Sequence, residues 1–431
     1  MRLTMAEGQG RLEGQGSSPL AATTPGSPTP AGDQSPSATP ALASRMLVLA
    51  MLGFMVNFWA WALISPLGAA YRDQLGLTVF QQAVLVAVPV IVGSLGRIPV
   101  GALTDRVGAR IMFPAISILT VLPVLYVGLV AESFAAMLVG GFFLGLGGTA
   151  FAIGVPLVNS WYPPVRRGTA LGIFGIGMGG TAISAFTTVR LTDSLGPEAP
   201  FLIVAGVLTV YAIVSALLIR DAPGRVRPTG SFLARTWATA KIPATAQLSF
   251  VYAVGFGGFV AFSVYLPTYL INAFDLVPND AAMRTAGFVV LAVAARPVGG
   301  WLSDRYNPVS VLVVDFTAAA VLAGLAALEL PLVPVGTIAF LGLAAALGSS
   351  AGATFALVAI LAPKTKVGAV TGIVGAAGGL GGFVPPLVMG AVFSAVGDYS
   401  IGLALLAVVS LSAALFTRGP LRRSARAVAT V

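Results

Sequence analysis

Two arginines lie inside long apolar stretches of this chain, at equivalent places in its two halves. Arg97 lies in VGSLGRIPVGALTDR and Arg296 lies in LAVAARPVGGWLSDR. Counted from each arginine, a glycine follows at the fourth position, a leucine at the sixth, and Asp-Arg at the eighth and ninth. Because a charge inside hydrocarbon is costly, an intramembrane arginine is a candidate for a functional site. Matched positions in a repeated unit predict one shared anion site between the two halves.

The composition is that of a polytopic membrane protein. Of 431 residues, 57% are hydrophobic and 9% are charged, whereas soluble domains carry about 25% charged residues. Cysteine and histidine are both absent, which removes thiolate and imidazole metal ligands and the usual proton relay near neutral pH. No metal or cofactor is therefore expected.

Twelve apolar segments are each long enough to cross the hydrocarbon core of a bilayer. They lie near 46–70, 80–103, 111–130, 134–160, 168–189, 199–219, 245–271, 281–302, 309–328, 334–361, 368–395 and 400–417. The predicted fold is an all-α membrane protein of two six-helix bundles, 45–219 and 245–417.

The remaining parts of the chain are polar. Residues 1–44 are rich in Ser, Pro, Thr, Ala and Gly and contain no long apolar run, so they are predicted to be a disordered cytoplasmic tail rather than a signal peptide. The break at 220–244 is predicted to be a cytoplasmic linker, and 418–431 a basic cytoplasmic tail.

Lys and Arg are distributed unequally between the two sides of the predicted membrane. If the N-terminus is cytoplasmic, most of them fall on that side, which is the usual bias. These residues are Arg106, Arg110, Arg166, Arg167, Arg220, Arg225, Arg227, Arg235, Lys241, Arg305, Lys364, Lys366, Arg418, Arg422, Arg423 and Arg426. Both termini are therefore predicted to be cytoplasmic. The net charge of +9 is explained by topology, so no nucleic-acid partner is expected, and a monomer is the expected state.

Glycines repeat in the fifth and eleventh segments with an offset of 200 residues. The matching residues are Gly168, Gly172, Gly175 and Gly179 in the fifth segment and Gly368, Gly372, Gly375 and Gly379 in the eleventh. Small residues at this spacing let helices pack closely in lipid. This density predicts close packing beside a central cavity, with room for a small substrate.

The loop GALTDRVGAR at 101–110 resembles the signature loop of the major facilitator superfamily. A parallel repeat of six and six helices is the layout of that superfamily. The resemblance assigns gating to Asp105, Arg106 and Arg110, through contacts at a helix N-terminus and with basic residues that break when the carrier opens.

Within that superfamily, residues 46–417 resemble the nitrate/nitrite porters. The match rests on the arginine pair and on two glycine-rich segments, GVPLVNSWYPPVRRGTALGIFGIGMGGTAIS (154–184) and GIVGAAGGLGGFVPP (372–386). The resemblance implies that Arg97 and Arg296 clamp the anion. It also implies that Phe151 of the fourth helix and Tyr252 and Phe256 of the seventh complete the pocket.

The sequence departs from the porter pattern in the fifth helix. Such porters often carry asparagines near the positions of Phe174 and Met178, and the loss of these amides leaves the choice between nitrate and nitrite open.

A planar guanidinium fork matches a flat monovalent oxyanion. The expected function is alternating-access transport of nitrate and nitrite across the bacterial cytoplasmic membrane, with cyanate or another small anion as the alternative substrate.

The coupling ion is the second open question. Asp315 is the one carboxylate well inside a predicted helix, and it is a candidate for proton coupling. We expect it instead to pair with an arginine near the cytoplasmic side, so anion exchange is favoured over proton symport.

Other classes of protein fit the sequence less well. Multidrug and sugar carriers usually need more carboxylates or amides in mid-helix. An enzyme or a sensor is disfavoured, because the chain has no catalytic set and no folded output domain.

Overall fold

The computed structural model describes residues 40–223, 232–363 and 366–429. Within these ranges every regular element is a helix, and twelve helices are long and apolar enough to cross a membrane. They are α1 (Pro40–Leu75), α2 (Val79–Val107), α3 (Ala109–Leu129), α4 (Phe134–Trp161), α5 (Thr169–Leu195), α6 (Ala199–Leu218), α7 (Pro243–Phe274), α8 (Pro278–Tyr306), α9 (Pro308–Ala326), α10 (Leu332–Leu361), α11 (Ala369–Val396) and α12 (Ser400–Ala427). The predicted all-α architecture is confirmed.

The described ends of the bundles differ from the predicted boundaries. Helix α1 begins at Pro40, inside the predicted tail, because proline suits the first turn of a helix and PALASRM contains good helix formers. The rest of that tail lies outside the described residues. The predicted linker contains a connecting helix, Phe232–Ala240. The predicted C-terminal tail is helical over Arg422–Ala429, because arginine and alanine have high helix propensity.

The turns between helices repeat with the same offset as the arginines. Gly76 and Asp275 both have positive φ, at 62° and 52°, and so do Gly108 and Asn307, at 102° and 98°. The members of each pair are 199 residues apart, as are Arg97 and Arg296. Glycine and asparagine tolerate this left-handed region better than other residues. The second copy of the signature loop therefore keeps its turn, although its sequence has diverged after Arg305.

Helices α8 and α10 cross with their backbones in close contact. A Cβ atom on Gly299 would overlap the backbone of Ser349, and one on Gly352 would overlap the carbonyl of Arg296. Such crossings of small residues hold helices together where apolar packing gives little drive. This crossing fixes the rotation of α8 and so the direction in which Arg296 leaves the helix.

A set of polar contacts ties the two halves together at the end that carries the α1–α2 turn. We call these contacts the polar latch. Three hydrogen bonds form it: Ser65 Oγ to the carbonyl of Val264 at 2.6 Å, Arg72 Nη1 to Asn272 Oδ1 at 2.9 Å, and Gln82 Nε2 to Thr268 Oγ1 at 3.2 Å. All three acceptors lie in α7, so this end of the molecule is closed between α1, α2 and α7.

Candidate functional site

Arg97 is buried where α2 crosses α4 and faces α11. Its side chain is 7% exposed. Nε donates to the carbonyl of Gly148 at 3.3 Å, and Nη1 donates to the carbonyl of Gly375 at 2.8 Å. The helix is interrupted at Gly96, where a Cβ atom would lie 2.8 Å from Thr149. This close crossing brings the guanidinium to the boundary between the two halves.

Arg296 leaves α8 toward the same boundary from the other half. Its Nη2 atom donates to the hydroxyl of Tyr252 at 3.0 Å, and its Nη1 atom contacts the sulfur of Met178 in α5. Each arginine thus reaches a group that belongs to the opposite half of the chain.

The ring of Phe256 contacts both guanidinium groups. Its centroid lies 5.8 Å from Cζ of Arg97 and 5.4 Å from Cζ of Arg296, within the range of cation–π attraction. Tyr252 stacks on Phe256 at 4.9 Å, and Phe151 lies 5.1 Å from Cζ of Arg97. The structure thus brings together all five residues that the sequence assigned to the pocket.

The guanidinium groups have neutral hydrogen-bond partners. In the described part of the chain, neither Arg97 nor Arg296 has a carboxylate within 4.0 Å, and their acceptors are two carbonyls, a hydroxyl and a sulfur. A charge buried without a partner is costly. The arrangement therefore suits a small anion that would accept hydrogen bonds from both forks.

The two glycine segments do not pack in the same way. In α11, a Cβ atom on Gly375 would lie 3.1 Å from the ring of Phe151, and one on Gly379 would overlap Ser94. At Gly172, Gly175 and Gly179 a Cβ atom would meet nothing within 4 Å, and the same holds for Gly372, the α11 partner of Gly172. The prediction of close packing for these four is therefore wrong in this conformation.

Other glycines make the close contacts in these two helices. In α5, Gly177 and Gly180 pack against the backbone of α1, and in α11 a Cβ atom on Gly378 would overlap Tyr252. In α5 the open glycines lie on a different helix face from Gly177 and Gly180. In α11 the open Gly372 shares a face with the packed Gly379 but lies two turns away, where the neighbouring helices no longer approach.

Asp315 does not take part in the arginine site. It lines a groove between α8, α9 and α10 together with Ser349. No lysine or arginine of the described chain lies within 4.0 Å of its carboxylate, so the predicted ion pair is wrong. The physical reason is that Asp315 lies seven residues after Pro308, the first residue of α9, which places it about 10 Å along the helix from the basic end of the bundle.

The predicted gating residues lie at the turn between α2 and α3. Asp105 is half-buried there, whereas Arg106 and Arg110 are exposed. The carboxylate of Asp221, which follows α6, accepts a hydrogen bond from the amide of Ala109 at 2.8 Å. A carboxylate at this place stabilises the N-terminus of α3. The gating role of the three residues stays a prediction.

Several residues at the site were not predicted from the sequence as pocket residues. Gly148 supplies a carbonyl to Arg97, Met178 contacts Arg296, and Phe355 of α10 lies 4.8 Å from Tyr252 in an edge-on arrangement. Of these, only Met178 could have been identified from the sequence, because it stands near a position where porters often carry an amide. Nothing in the sequence identifies a glycine carbonyl, or a single aromatic residue in an apolar helix, as part of a binding site.

A model of the major facilitator superfamily matches residues 50–386 and, in a second match, residues 248–429. The probable nitrate/nitrite transporter NarK2 of Mycobacterium tuberculosis is 48% identical over 86% of this chain and 95% of its own length. The nitrite extrusion protein of Bacillus subtilis is 37% identical over 85% of this chain and 91% of its own. The probable nitrate transporter NarT of Staphylococcus epidermidis is 34% identical over 89% and 97%.

A solved structure shares the fold at low sequence identity. It is a bacterial homologue of the human lysosomal transporter Spinster, crystallised in an inward-facing and occupied conformation. The TM-score is 0.66 at 18% identity, over 88% of this chain and 97% of the other. This similarity supports the helical architecture described above.

Proposed function

The chain belongs to the nitrate/nitrite porter family of the major facilitator superfamily, and we propose that it exchanges nitrate and nitrite across the bacterial cytoplasmic membrane by alternating access. It is a multi-pass membrane transporter and not an enzyme. The observation that carries the proposal is the meeting of Arg97 and Arg296 around Phe256, where their hydrogen-bond partners among the described residues are all neutral. The names of the three relatives support nitrate or nitrite as the anion.

When an anion binds, it replaces groups that now contact the arginine N–H donors. The Nη1 atom of Arg97 now donates to the carbonyl of Gly375, and the Nη1 atom of Arg296 contacts the sulfur of Met178. A planar oxyanion offers charged acceptors to the same donors, and hydrogen bonds of this kind are about twice as strong as neutral ones. One monovalent anion leaves a net positive site, so its release is not blocked by full neutralisation. Alternate occupancy by nitrate or nitrite then lowers the cost of crossing in both directions.

Exchange is favoured over proton symport by the surroundings of the arginines. Within the described ranges, the buried carboxylate is Asp315, and it lines a groove that does not include Arg97, Arg296 or Tyr252. A proton carried by Asp315 would need a mechanical link to the anion. Proton-coupled uptake is therefore the second candidate, and transport of another small anion such as cyanate is the third.

Alternating access requires that the two ends open in turn. We place both termini in the cytoplasm, because Lys and Arg concentrate on that side. The polar latch then closes the outer end. Asp105, Arg106 and Arg110 lie at the inner end, where their contacts would control opening toward the cytoplasm. The bundles 45–219 and 245–417 would rock about the arginine site, with the carrier acting as a monomer.

The test is uptake of labelled nitrate into proteoliposomes that contain nitrite, nitrate or buffer alone, with and without a proton gradient. Exchange predicts uptake that requires internal nitrite or nitrate and does not respond to the gradient. Gradient-driven uptake into empty vesicles would instead establish symport. No nitrate uptake under any condition would refute the proposed substrate, and cyanate would be tested next.

A further inference from the structure

A side groove lies between α8, α9 and α10, away from the arginine site. Its volume is about 440 Å³, which is within the range of small-molecule sites. The walls are mostly small or apolar residues, such as Ala294 and Val298 of α8, Ala318 of α9 and Ala345 of α10. These short side chains leave space for the body of an apolar ligand.

Two buried polar side chains, Asp315 and Ser349, line this groove. The Asp315 side chain is 9% exposed and Ser349 is 7% exposed. The Ser349 hydroxyl interacts with the Asp315 carboxylate, and Oδ2 of Asp315 has no hydrogen-bond partner among the described residues. A buried polar group without a partner costs about 1–3 kcal/mol, and more when it is charged. An unpartnered carboxylate oxygen beside a hydroxyl that can still accept a hydrogen bond indicates a ligand that supplies donors to both.

The groove opens on a surface that faces the lipid. Its rim residue Val298 is 49% exposed, and the neighbouring Val314 of α9 is 67% exposed. Asp315 is seven residues after Pro308, the first residue of α9, which places it about 10 Å along the helix axis. A ligand therefore enters from the hydrocarbon with its polar head buried below the membrane surface.

We propose that the side groove binds an amphiphile with a primary ammonium head and an alkyl body. An ammonium group has three donors and no acceptor, so it can donate to Asp315 and to Ser349 at once. Its charge offsets that of the carboxylate, and pairing is what makes a buried charge tolerable. The apolar walls contact the chain. The head group is supplied either by an aminolipid of the bilayer or by a free alkylamine.

Occupation of the groove is expected to slow transport. The backbone of Ser349 packs directly against Gly299, which is one helical turn from Arg296. The ligand would therefore hold α8 against α10 at the point where the anion site is anchored. Exchange requires α8 to move with its bundle, so the ligand acts as an inhibitor from a separate site.

The experiment measures thermal unfolding of the protein in phosphatidylcholine nanodiscs, titrated with dodecylamine or with dodecanol. We expect saturable stabilisation of the wild type by the amine and little effect of the alcohol. Asp315→Asn removes the charge and Ala345→Phe fills the groove, so each should weaken the apparent affinity at least about tenfold, the loss expected for one charged hydrogen bond. Asp304→Asn, at an exposed position of α8, is the matched control and should respond as the wild type.

Nanodiscs with added phosphatidylethanolamine separate the two sources of the ligand. If the lipid stabilises the wild type but not Asp315→Asn, the occupant is an aminolipid; if only dodecylamine does so, it is a free amine. Equal responses of the wild type, Asp315→Asn and Ala345→Phe would overturn the proposal, as would equal stabilisation by dodecanol. If Asp315→Asn cannot be purified, the response of Ala345→Phe to dodecylamine tests the proposal by itself.

Discussion

The guanidinium of Arg97 donates a hydrogen bond to the backbone carbonyl of Gly375 at 2.8 Å, and this bond joins α2 to α11 across the two halves. An anion that accepts from Nη1 of Arg97 would compete with this carbonyl for the same donor. Binding is therefore expected to weaken one contact between the halves while it satisfies the charge of Arg97.

Replacement of either clamp arginine by lysine should abolish most transport. Lysine keeps the charge but has no planar fork of donors. The loss of one charged hydrogen bond costs about 1.5–3 kcal/mol, which corresponds to about tenfold or more in affinity. We expect nitrate uptake by Arg97→Lys and Arg296→Lys to fall by at least that factor, with normal yield in the membrane. Arg284→Lys, which is also in α8 and pairs with Asp280, should transport normally.

Removal of the Tyr252 hydroxyl should have a smaller effect. Tyr252→Phe keeps the ring that stacks on Phe256 but removes the hydrogen bond with Arg296. The hydroxyl orients the Arg296 fork and does not itself bind the anion, so we expect the affinity for nitrate to fall by less than about tenfold, which is a loss below about 1.4 kcal/mol. The measurement is the concentration dependence of uptake. An unchanged affinity would contradict a role for the hydroxyl in orienting Arg296.

The glycines of α5 and α11 should differ in their tolerance of alanine. A Cβ atom at position 378 would overlap Tyr252, whereas one at position 172 meets no atom within 4 Å. Overpacking typically costs about 1–3 kcal/mol, whereas Gly-to-Ala in a helix gains up to about 1 kcal/mol. Thermal unfolding should therefore show a lower Tm for Gly378→Ala and an unchanged or higher Tm for Gly172→Ala. The reverse order would refute the packing described here.

A covalent bridge across the polar latch should stop exchange. Gln82 and Thr268 are joined by a hydrogen bond between α2 and α7, and the chain has no native cysteine. In Gln82→Cys/Thr268→Cys, a short thiol cross-linker should hold this end closed and abolish nitrate exchange, because alternating access requires it to open. Either single-cysteine variant treated with the same reagent is the control. Continued exchange by the cross-linked protein would show that the latch is not a gate.

Much of the fold could be predicted because the bilayer restricts it so strongly. A spanning helix needs about 20 apolar residues, and each of the twelve predicted segments overlaps one of α1 to α12. The arginines and three aromatic residues were also predictable, since a charge in such a segment stands out and the porter pattern supplies the aromatics. These five positions are the ones that the fold brings together.

The rest of the site depends on helix rotation, which apolar composition does not encode. A glycine repeat cannot show which face packs, so Gly378 was missed and Gly172 was assigned to the wrong role. Asp315 was expected to pair with an arginine near the cytoplasmic side, but α9 turns it toward Ser349 in the side groove. Gly148 acts through its carbonyl, which no side-chain pattern can reveal.

The most direct test is a double-mutant cycle on nitrate binding to the purified protein. The central claim is that Arg97 and Arg296 bind one anion between them. It predicts one nitrate per chain and weaker binding for each lysine variant. The double variant should lose less binding free energy than the sum of the losses in the two single variants, because residues that share a ligand are coupled. Two nitrate sites per chain, or strictly additive losses, would contradict the shared clamp.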